Sequence, residues 1–284
     1  MKRLAVLGHP VAHSRSPAMQ NAALAQLGLA DEWAYEAIDV APDDFETRVR
    51  AMPDEGFLGA NVTIPHKEAA LQLADEASPA AAAIGAANTL SFAAGRIRAD
   101  NTDAGGLLSA VADLPASPRG IRALVLGAGG AARAAIWALS RGGAVASVDL
   151  EPRAVDAWNR TAERAAKLYD ELGEHLDLGG VAVDAPRQED YGIVVNTTSV
   201  GLHGEDPFEY LPLDPTKFRG QVVVDMVYGD GPTKLVEAAK DNGATDIDGI
   251  EILVRQGARS LEIWTGHEAP LGVMRTAARE GLSR

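Results

Sequence analysis

An apolar run, residues 121–126, leads directly into Gly127-Ala128-Gly129-Gly130-Ala131-Ala132, and a helical stretch, residues 131–140, follows without a break. A strand that turns on glycines into a helix commits the chain to a β-α unit whose next strand returns parallel to the first. The glycines allow the tight turn, let a pyrophosphate approach the backbone, and aim free helix N-terminal amides at its charge. Ala132 fills the last place of the fingerprint, a tolerated variant. Elsewhere short apolar runs alternate with amphipathic stretches. Residues 4–7, 33–40 and 57–64 read as strands, 16–27 and 71–83 as helices, and 89–92 with 95–97 as a hairpin. Later strands are read at 193–195 and 222–224 and helices at 253–264 and 271–278. The fold class is α/β with a largely parallel sheet. Residues 114–120, with two prolines and a glycine, form the best linker.

Composition narrows the function. At 284 residues the chain allows two modest domains, each able to bury a core. Forty acidic against 26 basic side chains give a net charge of −14, which repels phosphate backbones and argues against nucleic acid as a partner. There is no cysteine, so disulfides, zinc-thiolate sites, iron-sulfur clusters and cysteine nucleophiles are excluded. The first apolar run stops at Gly8, too short for a signal-peptide core, and no segment reaches the ~20 apolar residues of a membrane span. A cytoplasmic protein is expected. The six histidines show no metal-ligand spacing, so no metal is expected.

Asn61-Val62-Thr63-Ile64-Pro65-His66-Lys67 places polar side chains at a strand end and a lysine just past a proline, where α/β proteins bind ligands. By itself Lys67 reads as a solvated cation. Beside Asn101-Thr102-Asp103 it reads as half of a proton-transfer pair, since a lysine can release a proton that arginine cannot. Asp103 has a plainer reading as the cap of the helix that follows. Ser14 and Ser16 flank Arg15 at a helix mouth, suiting a small carboxylate, while Ser16 before Pro17 has the plainer reading of N-cap.

The glycine loop leaves two choices of dinucleotide. Asp149 lies 22 residues after Gly127, near the ~20 expected of an acid that binds the ribose hydroxyls of NAD. Downstream, Asn159-Arg160-Thr161-Ala162-Glu163-Arg164 would follow a strand over 154–158, and its arginines suit the 2′-phosphate of NADP. A third reading makes residues 155–172 one long helix with solvated arginines, since Val155, Trp158, Ala162, Ala165, Tyr169 and Leu172 have helical spacing.

Taken in order, Ser14 to Pro17, Asn61 to Lys67, Gly85 to Leu90, Asn101 to Asp103, Gly127 to Ala132, Asn196 to Gly201, Asp225 to Tyr228 and Asp248-Gly249 through Gln256 to Ala258 resemble the shikimate dehydrogenase family. The resemblance runs from about residue 4 to about residue 275. It implies reversible reduction of 3-dehydroshikimate to shikimate with a nicotinamide cofactor, in aromatic amino-acid biosynthesis. It implies a substrate domain, 1–113 with 251–284, and a Rossmann-like cofactor domain, 114–250, with C-terminal helices returning to the first. By motif, Ser14 and Ser16 would hold the substrate carboxylate. Thr63, Asn88, Asp103 and Gln256 would hold ring hydroxyls, Tyr228 would be the substrate-side tyrosine, and Lys67 and Asp103 would form the catalytic pair. Gly127, Ala128, Gly129, Gly130, Ala131, Asn159, Arg160, Thr161, Arg164, Met226 and Gly249 would hold the cofactor. The family's arginine motif usually lies about eight residues nearer the glycine loop, and the extra length here falls at 145–152, beside Asp149. NADP is favoured, with NAD the alternative. An NAD-dependent quinate or shikimate dehydrogenase and a non-catalytic nucleotide-binding regulator are the competing functions, and a homodimer is an assembly to be tested.

Overall fold

The computed structural model describes residues 1–114, 122–141, 154–176, 179–229 and 231–280. The linker at 115–120, Ile121 and Asp149 lie outside the described residues. The chain divides into two compact units, one formed by residues 1–103 with the segment beginning at Val254, the other by the contiguous residues 104–253.

In the first unit β1 (Lys2–Gly8), α1 (Ser16–Gln26), β2 (Trp33–Asp39), α2 (Phe45–Ala51) and β3 (Phe57–Val62) lay down a parallel set. There follow α3 (Lys67–Gln72), β4 (Glu76–Ala77), α4 (Pro79–Ile84), β5 (Thr89–Ala93) and β6 (Arg96–Asp100), giving the strand order β2-β1-β3-β5-β6-β4. The sheet is mixed rather than largely parallel, because β5 runs antiparallel to both β3 and β6. Its hairpin turns on two residues, Ala94 (φ 51°) and Gly95 (φ 72°), and left-handed geometry at both matches the strands' twist.

The expected helix at 71–83 is two helices with a strand between. Asp75 accepts the Ile97 N–H at 2.7 Å, and β4 pairs with β6. Ser78 then caps α4 by accepting the Ala81 N–H, and Pro79, which cannot continue a preceding helix, opens the new one. Leu7, Phe45, Val49, Met52, Phe57, Leu90 and Phe92 form a shared core on one face of the sheet. Burial of each large side chain is worth about 1.5–3 kcal/mol. The helices Gly249–Thr265 and Leu271–Glu280 bring the chain back, and the latter packs along α1.

In the second unit, α5 (Asp103–Ala112) is followed by β7 (Arg122–Leu126), α6 (Gly130–Ser140) and β8 (Ala154–Trp158). The helix Ala162–Leu172, β9 (Ile193–Asn196), β10 (Val222–Asp225), the helix Lys234–Asp241 and β11 (Thr245–Ile247) complete it. Among the described residues the strands are all parallel, in the order β11-β10-β9-β7-β8. The chain goes from β7 outward to β8 and then back across to β9, so β7 and β9 mark the switch point where open α/β sheets bind ligands at their carboxyl ends. The single long helix over 155–172 is overturned: Ala154–Trp158 is a strand with a buried centre, as in the reading that places Asn159 to Arg164 after a strand, and the helix begins only at Ala162.

Candidate active site

In the first unit, Lys67 opens α3 just after the turn that ends β3, and Asp103 opens α5 just after β6. The lysine Nζ donates to Asp103 Oδ2 at 2.6 Å, with both side chains largely buried. The other carboxylate oxygen accepts from Asn88 Nδ2 at 2.9 Å, and the same amide lies 3.1 Å from Gln256 Oε1. Four residues separated by up to 189 positions thus form one hydrogen-bonded set: Lys67, Asn88, Asp103 and Gln256. The plain readings of Lys67 as a solvated cation and of Asp103 as only a cap do not describe these contacts. An ammonium group held by a carboxylate whose second oxygen is also bonded can give a proton at a fixed point in space, and the amine left behind can take it back there.

Thr63 follows β3, its N–H bonded to the Leu7 carbonyl at 2.8 Å. A Cβ placed on Gly8 would fall 2.4 Å from Thr63 Cγ2, so the ends of β1 and β3 are held together at that point. The His9 N–H to Ile64 carbonyl bond continues that junction. Ser14 and Ser16 stand at the head of α1, where the Ser16 N–H donates to Ser14 Oγ at 3.2 Å. Ser16 is not the N-cap: Arg15 already has helical angles and holds that place, while the Ser16 side chain is within the first turn and buried. Sequence reasoning did not single out Thr102 alone, yet its backbone N–H fixes Asn88 Oδ1 at 2.7 Å. Its adjacency to Asp103 was the available signal. Nor did it single out His66, buried, stacked on Phe45 and donating through Nε2 to the Val40 carbonyl; burial holds this imidazole below its usual pKa, in the neutral form.

In the second unit, Gly127, Ala128 and Gly129 join β7 to α6, with Gly129 at the N-cap position and Gly130 and Ala131 opening the helix. Gly127 has φ 122°, and a Cβ there would meet Thr197 Oγ1 at 2.5 Å. Only glycine fits. Its N–H reaches the Trp158 carbonyl at 2.8 Å, which sets the end of β8 beside the glycine loop. Asn159, Arg160 and Thr161 leave that strand end, with Thr161 at the N-cap position of the helix that carries Arg164. Asn159 Nδ2 donates to the Thr161 carbonyl, and Arg160 and Arg164 are exposed with no acidic partner among the described residues. Two guanidinium groups with no acidic partner among the described residues, just after the strand end that meets the glycine loop, fit a dinucleotide carrying an additional phosphate.

Met226 and Tyr228 follow β10, and the Met226 N–H bonds the Asn196 carbonyl at 2.9 Å. Gly249 approaches that loop so closely that a Cβ would lie 2.3 Å from the Val227 carbonyl oxygen. Below the loop, Asp225 accepts from Asn196 Nδ2, the Val227 N–H and the Thr233 hydroxyl. Burial nevertheless pushes its carboxyl up to about 6.

The Shikimate dehydrogenase substrate binding domain profile matches residues 6–90, and that of the Shikimate 5′-dehydrogenase C-terminal domain matches residues 249–279. The chain is 41% identical to the shikimate dehydrogenase (NADP(+)) of Methanopyrus kandleri over 98% of its own length and 94% of the relative's. The chain belongs to the shikimate dehydrogenase family. Among solved structures, this family member superposes with a TM-score of 0.84 and 40% identity on Thermus thermophilus shikimate 5-dehydrogenase, crystallised with NADP(H) and shikimate, covering 99% of each chain. The Listeria monocytogenes shikimate 5-dehydrogenase, crystallised with shikimate and NAD, gives a TM-score of 0.81 at 27% identity, covering 97% of this chain and 96% of the other. The α/β architecture with a returning C-terminal segment is thus the family's, as the sequence motifs led one to expect.

Proposed function

We propose that the protein is an NADP-dependent shikimate dehydrogenase that reduces 3-dehydroshikimate reversibly to shikimate. The observation that carries this reading is the Lys67–Asp103 pair at 2.6 Å, braced by Asn88 and Gln256, in a chain of this family. Bound NADP supplies the hydride acceptor or donor, and the rest falls to side chains of the protein. Lys67 Nζ gives a proton to the substrate's carbonyl oxygen during reduction and takes it back during oxidation. Asp103 holds that lysine and accepts the substrate hydroxyl through the same carboxylate. Asn88, Gln256 and Thr63 hold the ring hydroxyls, Ser14 and Ser16 the carboxylate, and Tyr228 serves the substrate from the loop after β10.

On this reading residues 1–113 with 251–284 serve the substrate and 114–250 the cofactor. Gly127 to Ala131 and the helix amides behind them receive the pyrophosphate, Met226 and Gly249 line the nicotinamide end, and Arg160 with Arg164, near Asn159 and Thr161, pairs with the 2′-phosphate. The NAD-bound Listeria relative favours a second reading, in which NAD serves instead. Initial rates of shikimate and quinate oxidation with NAD and with NADP decide among these. Fast shikimate turnover with NADP supports the proposal, a preference for NAD supports the second reading, and no turnover in any combination removes both. Cytoplasmic placement and a homodimer belong to the same reading and are tested by fractionation and sedimentation velocity.

A further inference from the structure

Behind the four residues just described lies a second layer of polar groups with no role in that reading. Ser260 sits one turn beyond Gln256 on the helix Gly249–Thr265 and is fully buried. A helical serine ordinarily satisfies itself by bonding back to the carbonyl four residues earlier, and Ser260 Oγ does reach the Gln256 carbonyl at 3.1 Å. It does more than that requires. It accepts the Asn61 side-chain amide at 2.8 Å, and it lies 2.9 Å from Thr89 Oγ1 and 3.1 Å from Thr102 Oγ1. One hydroxyl therefore joins the helix that carries Gln256 to β3, to β5 and to the residue preceding Asp103.

The two threonines transmit that connection. Asn88 Oδ1 accepts the Thr102 backbone N–H at 2.7 Å and is touched by the Thr89 and Thr102 hydroxyls, each at 3.1 Å. A backbone donor cannot reverse its role, so this contact orients the amide and turns Nδ2 toward Asp103 Oδ1 and Gln256 Oε1. The layer continues through Asn61 Oδ1, which accepts the Tyr35 hydroxyl at 2.8 Å. Asn61, Asn88, Thr89, Thr102 and Ser260 are all buried, so a lost partner here leaves a polar group unsatisfied.

We propose that Ser260, acting with Thr89, is a positioning residue for shikimate: it sets the register between Gln256 and the Asn88–Asp103 pair and so the spacing of groups that receive the ring hydroxyls. The inference rests on the proposed substrate. It makes no claim on the dinucleotide, since every residue named belongs to the first unit.

The test is a steady-state comparison of wild type, Ser260→Ala, Thr89→Ala and Thr89→Ser, varying shikimate and NADP in turn. Ser260→Ala and Thr89→Ala are expected to raise KM for shikimate about five- to tenfold, the scale of one net hydrogen bond, and to leave KM for NADP within about two-fold. Thr89→Ser keeps the hydroxyl and gives up the methyl, and it should restore the shikimate KM. A merely structural role would lower the active fraction, and with it the apparent kcat, at unchanged KM for both. That pattern overturns the inference, as does a parallel rise of both KM values or a Thr89→Ser variant as impaired as Thr89→Ala. Wild-type protein that turns over no shikimate instead removes the substrate assignment, and the inference falls with it.

Discussion

Lys67 reaches Asp103 across 2.6 Å from a different element, so loss of either end leaves the other largely buried and unpaired. Lys67→Met should lower kcat for shikimate oxidation by at least about 100-fold while shikimate affinity stays within several-fold, because a group acting mainly in the transition state has been removed. Single-turnover rates with a separate binding titration check this, and a near-normal kcat would reject the assignment. Arg160 is the residue proposed for the cofactor's 2′-phosphate. Exposed and without an acidic partner among the described residues, it is available to a 2′-phosphate. Arg160→Leu should raise KM for NADP by about tenfold or more, from a charge-assisted contact of about 1.5–3 kcal/mol, and leave KM for NAD unchanged. Equal KM values for NADP before and after would show that the arginine meets solvent only. Both residues were legible in the sequence because each follows a recognisable strand end. Ser260 was not: its partner Asn61 is 199 positions away, and nothing about a serine on an amphipathic helix distinguishes a node from an ordinary back-bonded side chain.

The loop that follows β10 depends on one carboxylate. Asp225 binds the end of β9 through Asn196, its own loop through the Val227 N–H, and the next helix through Thr233, whose side chain also caps it by accepting the Val236 N–H. Thr233→Ala should cost about 1–2 kcal/mol of stability, measured by urea unfolding, because cap and tether go together. The titration of Asp225 has a defined sign. The unfolded chain releases this proton near pH 4 and the folded chain near 6, so between those values the folded state holds more protons and stability falls as pH rises. Asp225→Asn should remove that part of the slope in a series of urea curves from pH 4 to 7, and parallel curves would mean the group does not titrate there. Elements were legible where periodicity was unambiguous, as in β7 and α6. Residues 71–83 misled because Leu71, Ala74, Ala77 and Ala81 keep an apolar rhythm across a break made by Asp75 and by pairing of β4 with β6, a contact with residues more than 20 positions later. The stretch 155–172 left two readings open, because its rhythm runs unbroken from a strand into a helix, and the strand over 154–158 is the one the structure has.

At the scale of the whole molecule, the two units should report their ligands separately. Shikimate is expected to slow backbone hydrogen exchange at Ser14 to Ser16, Asn88, Asp103 and Gln256, and NADP at Gly127 to Ala131 and Asn159 to Arg164. A ligand present at 100 times its Kd adds about 2.7 kcal/mol to the folded state that binds it. Exchange mass spectrometry with each ligand alone checks the assignment, and protection of Gly127 to Ala131 by shikimate or of Ser14 to Ser16 by NADP would contradict it. The first unit is assembled from the two ends of the chain, with residues 104–253 between them. On the ribosome this inverts the usual order of folding, in which N-terminal structure forms first. Residues 1–103 emerge early and must wait for Gln256, Ser260 and the helix that packs on α1, while the intervening segment already has every strand of its own sheet. Lys67 and Asp103 are therefore translated well before Gln256, which completes their bonding only after residues 104–253 have been made.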